Sequence, residues 1–247
     1  MFNKVKNLSI VLFLMFNEIC SQNINGVAIY GVKTAIDFNK IENSTAKDVD
    51  MLKNIIDDSS DPSPTKFKLI FNKNSSLFYY ESKLSVSSSK IDMANIKAKL
   101  TGEIYSNLIS EKVVQQKESL GEIFRIVKSF DNYNWKLTNE KIKIDKYICY
   151  KAISIDSTKR KNKIIEAWYA PEIPINTGPM GSGGLPGLIV VLKVDIFIYY
   201  LEKLNLNSKT KIVEPKKGKE VNKIEYDSIY RALYKKKEEM ERKGYYN

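Results

Sequence analysis

Residues 172–195 read EIPINTGPMGSGGLPGLIVVLKVD. Glycines crowd together with Pro179 and Pro186 between Gly178 and Gly187, and at Leu188 an aliphatic run begins. A loop this rich in glycine can cradle phosphate, and the residues that follow it decide whether it does. A Walker loop requires Lys and then Ser or Thr after its last glycine, but Gly183 and Gly184 are followed by Leu185 and Pro186. A dinucleotide loop must open into a helix, whereas LIVVLKV, residues 188–194, is β-branched and reads as a strand. Both phosphate readings fail. What remains is backbone geometry, because glycine permits positive φ and close approach while proline stiffens the path. The segment is expected to be a tight connection between a strand ending near Ile175 and a strand beginning near Leu188.

Working outward, LIVVLKVDIFIYYLEKLNL (188–206) is apolar enough to raise the question of a membrane span. Lys193 and Asp195 break it into pieces far short of the roughly 20 residues a helix needs to cross a bilayer, so two buried strands are expected. Upstream, TKFKLIFNK alternates Phe67, Leu69 and Phe71 with Lys66, Lys68 and Asn72, the pattern of a half-buried strand. LFYYE, after the turn NKNSS, is its hairpin partner, and GVAIYGVKTAI reads as a first strand. EIYSNLISEKVVQQ, GEIFRIVKSF, KYICYKAISI and KIIEAWYAP carry further strand signals with no long helix between them. Successive short strands so connected imply an antiparallel sheet.

Two helices are expected. STAKDVDMLKNIIDD places Val49, Leu52, Ile55 and Ile56 at helical spacing, with Thr45 and Asp48 as a capping box. At the other end, Tyr226, Ile229, Tyr230, Leu233 and Met240 recur at three- and four-residue steps, giving an amphipathic helix over about 225–243 with Gly244 beyond it. SKLSVSSSKIDMANIKAKLTG between the early strands is serine-rich and reads as a loop or edge region. The fold class is thus β-rich α+β: a strongly curved, half-open barrel-like antiparallel sheet with one short early helix and one C-terminal helix.

The chain has 247 residues, 43% hydrophobic and 28% charged, with a formal charge of +11 at pH 7. That composition suits one globular domain. MFNKVKNLSIVLFLMFNEICSQ pairs Lys4 and Lys6 with an apolar run from Leu8 to Phe16 and reads as a signal peptide over 1–21, cleaved near Ser21, leaving one domain over 22–247. Asn17-Glu18-Ile19 before Cys20 lacks the small residues of a lipobox. Export to the periplasm or the outer membrane follows. Cys149 would then be the single cysteine of the mature chain, which leaves no internal disulfide.

The absence of histidine narrows the chemistry. It removes the commonest general base, the commonest zinc ligand and the Ser-His and Cys-His pairings. No catalytic residue, metal site or cofactor motif is singled out. Cys149, in KYICYKA, reads either as a small buried hydrophobe or as a thiolate favoured by Lys146 or Lys151. Asp57, Asp58 and Asp61 read as turn acids. Glu166 and Trp168 share a strand face beside Tyr169, and a carboxylate next to an aromatic can hold a sugar or a cation, so these three are the ligand-binding candidates. The basic runs KRKNK, KKGK and KKK can meet anionic surfaces.

GLPGLI, Gly184 to Ile189, is the motif that names the GLPGLI family of exported proteins, found mainly in Gram-negative bacteria. The chain resembles that family in YICYKA (147–152), AWYAPEIPI (167–175) and Gly178-Pro179, and FKLIFNKNSSLF is similar to its Asn-x-x-Ser hairpin. The resemblance covers about residues 135–195; the MGSG stretch before the motif is insertion-like. It implies an exported β-rich domain without an established catalytic role, and partnership with outer-membrane uptake systems, as some members of the family suggest. Gly178, Pro179, Gly184, Leu185, Pro186, Gly187, Leu188 and Ile189 form the structural motif.

The functional expectation is a non-enzymatic binding or accessory protein of the cell envelope, holding an apolar or peptidic ligand in the concave sheet face or serving an outer-membrane uptake system. A carboxylate-based hydrolase and a basic protein adhering to anionic envelope surfaces are the alternatives. No nucleic-acid partner and no membrane-spanning segment are expected.

Overall fold

A computed structural model describes residues 24–34, 65–81, 98, 100–130, 133–156 and 163–242. The signal segment, the early helix, the acidic turn at 57–61, KRKNK apart from Lys163 and most of the serine-rich stretch lie outside the described residues. Twelve strands form one sheet: β1 (Gly26–Thr34), β2 (Lys66–Phe71), β3 (Ser75–Tyr80), β4 (Glu103–Asn107), β5 (Lys112–Ser119), β6 (Glu122–Ser129), β7 (Lys136–Ile144), β8 (Tyr147–Asp156), β9 (Lys163–Ala170), β10 (Leu188–Val194), β11 (Phe197–Asn205) and β12 (Lys219–Asn222). Their order is β12-β6-β5-β4-β3-β2-β1-β11-β10-β9-β8-β7, a curved and unclosed sheet with one C-terminal helix, α1 (Lys223–Arg242).

The alternation in β2 does what its period dictates. Phe67, Leu69 and Phe71 are each no more than 1% exposed and point to one face, the inner one. Phe67 stacks on Phe78 of β3 at 4.8 Å and 5°, and Tyr199 of β11 meets both rings edge-on. Each such ring contributes about 1.5–3 kcal/mol through burial, with a further 0.5–1.5 kcal/mol from ring geometry. Tyr30 of β1 completes the cluster, and its buried hydroxyl donates to the carbonyl of Ile189 at 2.7 Å. Full burial holds that phenol far above its ordinary pKa, so it remains a neutral donor.

The β2–β3 turn is built by one side chain. The Asn72 carboxamide oxygen accepts the amides of Asn74 and Ser75, both at 2.8 Å, and the Ser75 hydroxyl at 3.2 Å, an Asx turn that sets the hairpin register.

Three expectations are corrected. First, the sheet is not wholly antiparallel, because β12 pairs with β6 in parallel. The chain reaches it by running from β11 back across the sheet, tied down by Arg125 to Glu214 and to the Pro215 carbonyl and by Lys112 to Glu214 at 2.9 Å. Second, β7 appears where no strand was anticipated; KLTNEKIKI is mostly polar because it is an edge strand with a largely exposed face. Third, β9 ends at Ala170, five residues before Ile175, and the chain to Leu188 is an irregular excursion.

Helix α1 begins where a reciprocal capping box forms: Asn222 Oδ1 accepts the Glu225 amide at 2.9 Å and Glu225 Oε2 accepts the Asn222 amide at 2.8 Å. Its buried Tyr226 packs with Phe124, Ile126 and Val221, a second small core separate from the main one. No helix among the described residues is long and apolar enough to cross a membrane; strands are a separate matter.

Candidate functional site

The excursion from Pro171 to Gly187 turns onto the inner face of the curved sheet. Ile173, Ile175, Thr177, Pro179, Ser182 and Leu185 are buried while Pro174, Asn176, Gly184 and Pro186 are exposed. A 3-10 turn at Pro179–Gly181 packs on β3 and β4, and the Thr177 hydroxyl donates to the Ser76 hydroxyl at 2.9 Å. The chain then returns alongside itself: the Leu188 amide donates to the Ile173 carbonyl and the Ile189 amide to the Thr177 carbonyl, both at 3.0 Å. The glycine motif is therefore the inner filling of the curved sheet. Gly178, Pro179, Leu185, Leu188 and Ile189 are all buried within it.

Two glycines have specific reasons. At Gly187, with φ of 158°, a β-carbon would lie 2.6 Å from the Ala170 carbonyl carbon and 2.8 Å from the Pro171 nitrogen, so only glycine lets the two backbones touch. Gly184 has φ of 88° and faces Trp135, whose indole ring would stand 3.4 Å from a β-carbon there.

That second contact marks a cleft of about 490 Å³ at the rim, between the β4–β5 turn, the β6–β7 link and the glycine loop. Tyr133 and Trp135 form its aromatic wall, stacked at 4.9 Å and 17°. The Trp135 indole donates to the Gly183 carbonyl at 2.8 Å, which holds that ring, and the Tyr133 main-chain carbonyl accepts the Ser154 hydroxyl, which fixes the backbone beneath the second ring. Asn176 supplies the floor, its carboxamide oxygen accepting the Gly184 amide, and Glu111 and Asn134 add polar groups at the edge. The cleft is large enough for a small ligand or a short chain segment and mixes apolar walls with a few hydrogen-bonding groups.

The cleft leaves little trace in the sequence. Two aromatics beside asparagine in a loop were its only signal, and nothing in that pattern says that the loop meets residues 183–184.

The three sequence candidates stand elsewhere. Glu166 and Trp168 do share a face, and Lys151 of β8 lies directly opposite Trp168, its ammonium 5.9 Å from the ring centroid. Glu166 pairs with Lys193 of β10 at 2.9 Å and with Lys151 at 3.7 Å. A bulge in β7 sets three residues, Thr138 to Glu140, opposite Lys151 alone and brings Glu140 to it at 3.2 Å. Lys151, 4% exposed, is thus paired on both sides, the condition under which a lysine can be buried. Trp168 is 1% exposed. Tyr169 is buried and points to the opposite face, next to Tyr150 at 6.1 Å; burial and that neighbour hold its phenol above the ordinary range.

Cys149 is fully buried, and burial pushes its thiol up to about 12, with Glu172 adding to the rise and a backbone hydrogen bond at Ile144 opposing it. The lysine-activated thiolate does not arise, since desolvation outweighs any nearby positive charge.

Residues 156–191, from the end of β8 through the glycine loop into β10, match a family described as a protein of unknown function (Porph_ging). No curated protein matches the chain. Two solved structures of PNGF-II, in the C2 and P21 space groups, are similar in fold, each with a TM-score of 0.52 and 16% identity over 85% of this chain. Those alignments cover 33% and 34% of the PNGF-II chains, so this chain spans about a third of the length of the structures it matches.

Proposed function

We propose that this is an exported, non-enzymatic binding or accessory protein of the cell envelope whose ligand, a peptide segment or comparably apolar chain, lies in the rim cleft against Trp135 and Tyr133. One observation carries the reading: aromatic side chains and the glycine excursion occupy the concave face, while the rim holds an open cleft of about 490 Å³ walled by Tyr133 and Trp135, stacked on each other, with the Trp135 indole held to the Gly183 carbonyl. A ring already held loses little freedom when a ligand stacks on it. The polar groups at the floor and edge, Asn176, Asn134 and Glu111, suit the amides of a peptide backbone.

Membership of the GLPGLI family, with Gly184 to Ile189 inside the matched stretch, is part of the same proposal, as is a partner in an outer-membrane uptake system. Export with cleavage near Ser21 completes it. Glu166, Trp168 and Tyr169 take a supporting role in this reading, bracing β8–β10 against one another. A carboxylate hydrolase would depend on Glu166, which is tied to Lys193 and Lys151.

The test uses tryptophan emission. Trp168 is replaced by Phe so that Trp135 is the sole reporter in the exported protein, and peptides of mixed composition are titrated against it. Saturable quenching or a spectral shift, abolished in a Tyr133→Ala variant that retains its folded circular dichroism, supports the reading. Unchanged Trp135 emission across peptides, lipids and glycans would remove it.

A further inference from the structure

The rim cleft is acidic in a chain that is basic. The sequence carries 40 lysines and arginines against 29 acids, yet no lysine or arginine lines the cleft, and its one charged side chain among the described residues is Glu111. Lys112, next in the chain, is engaged by Glu214 at 2.9 Å, and Lys136, next to Trp135, is exposed outside the lining. Elsewhere in the sheet Glu140, Glu166 and Glu214 each have a lysine or arginine against them. The Glu111 carboxylate has neither an ion pair nor a hydrogen bond among the described residues.

The backbone fixes where this carboxylate stands. The Glu111 carbonyl accepts the Phe130 amide at 3.0 Å, which sets Glu111 across the β5–β6 ladder from the start of the link that carries Tyr133 and Trp135. Its φ of 50° lies in the left-handed region, which a glutamate adopts only at some cost. Two N–H donors of the wall are meanwhile spent within the protein, the Trp135 indole on the Gly183 carbonyl and the Gly184 amide on Asn176. The wall therefore offers a ligand ring surface and, at the edge, an uncompensated carboxylate, which are the surroundings of a cation and not of an anion.

We propose that the cleft takes its peptide by a lysine or arginine side chain, an inference that rests on the reading of this cleft as a peptide site. The aliphatic stem lies along the aromatic wall, with Phe130 and Leu108 completing the apolar contact, and the cationic head meets Glu111 at the edge. The ring faces attract the same charge. An acidic side chain in this place would meet the Glu111 carboxylate with no cation in the lining to offset it.

Capped alanine pentapeptides with lysine, arginine, norleucine or glutamate at the centre are the probes, and calorimetry on the full protein is the readout. The lysine and arginine peptides should bind about 5- to 30-fold more tightly than the norleucine peptide, the worth of one cation–ring contact and one exposed ion pair together, and the glutamate peptide should bind most weakly. Added salt should weaken the lysine peptide and not the norleucine peptide. In Glu111→Gln the preference for lysine over norleucine should fall by about 2- to 5-fold, with the melting temperature unchanged because the carboxylate holds nothing in the folded protein. If norleucine matches lysine, or if Glu111→Gln keeps the full preference or lowers the melting temperature, selection by charge is overturned while the peptide cleft stands. If none of the peptides binds, the cleft reading falls and this inference with it.

Discussion

Gly187 rests against the backbone of Ala170: a β-carbon at position 187 would lie 2.6 Å from the Ala170 carbonyl carbon. The contact joins the end of β9 to the start of β10, and it closes the seventeen-residue excursion that packs on the inner face of the curved sheet. Replacing Gly187 by Ala should already destabilise the protein, because the obstacle is main chain and cannot rotate away. About 1–3 kcal/mol is expected, a loss of several degrees in melting temperature. Val should be no better than Ala. A melting temperature equal to that of the unaltered protein would mean that the two strands separate here without cost.

Trp135 ties the rim to the excursion through its hydrogen bond to the Gly183 carbonyl. Trp135→Phe should therefore cost about 1 kcal/mol of stability, the typical net value of one such bond, while keeping the aromatic wall. Ligand binding should fall less than in Trp135→Ala. Equal binding losses in the two variants would show that the tie to the Gly183 carbonyl, not the ring, is what binding depends on.

The charge ladder Glu140–Lys151–Glu166–Lys193 predicts an asymmetry. In Lys151→Met the aliphatic stem still packs on Trp168, and Glu166 keeps Lys193, so the change should be small, within about 1 kcal/mol. In Glu140→Ala combined with Glu166→Ala a buried ammonium is left uncompensated, and several kcal/mol should be lost. Chemical denaturation of the two variants checks this; a larger loss in Lys151→Met would reverse the argument.

Glu214 is held below its ordinary pKa above all by the hydrogen bond from Lys112; burial opposes this, and the hydrogen bond from Arg125 and the charges of both partners add to the lowering. A carboxylate whose folded pKa is depressed contributes stability above its unfolded value, and the contribution disappears as pH falls through the folded value. Glu214→Gln should therefore weaken the protein at neutral pH and converge with the unaltered protein in acid. A difference that stays constant from neutral pH into acid would show that Glu214 acts through shape alone.

Cys149, with its thiol raised to about 12, should be unreactive in the folded state. At pH 8 the thiolate is on the order of one part in ten thousand, so alkylation should proceed only through unfolding. Labelling by iodoacetamide should then follow the global unfolding transition. Rapid labelling under native conditions would place the sulfur at the surface.

Much of the architecture was legible because strands report their burial with a period of two. Phe67, Leu69 and Phe71 announced β2, and the aliphatic run from Leu188 announced β10. Strand β7 was not legible: only Ile142 and Ile144 at its end are buried, Thr138 and Glu140 stand inward in its first half, and the apolar Leu137 faces solvent, so the alternation is too short to announce a strand. The rim cleft was hidden for another reason. Trp135 and Gly183 are 48 residues apart, and neither carries a local sign of the other.

The sequence by itself determined that the chain is β-rich, that its glycine stretch binds no phosphate in the familiar way, and that it lacks histidine chemistry. Those conclusions depend on residue type and on local spacing. The tertiary structure alone decided that the glycine stretch turns inward, that Lys151 is buried between two glutamates, and that an aromatic wall borders a cleft at the rim. These are matters of which side chains meet across the curved sheet. Pairing between strands distant in sequence is set by the summed burial of the whole inner face, and no single segment encodes that sum.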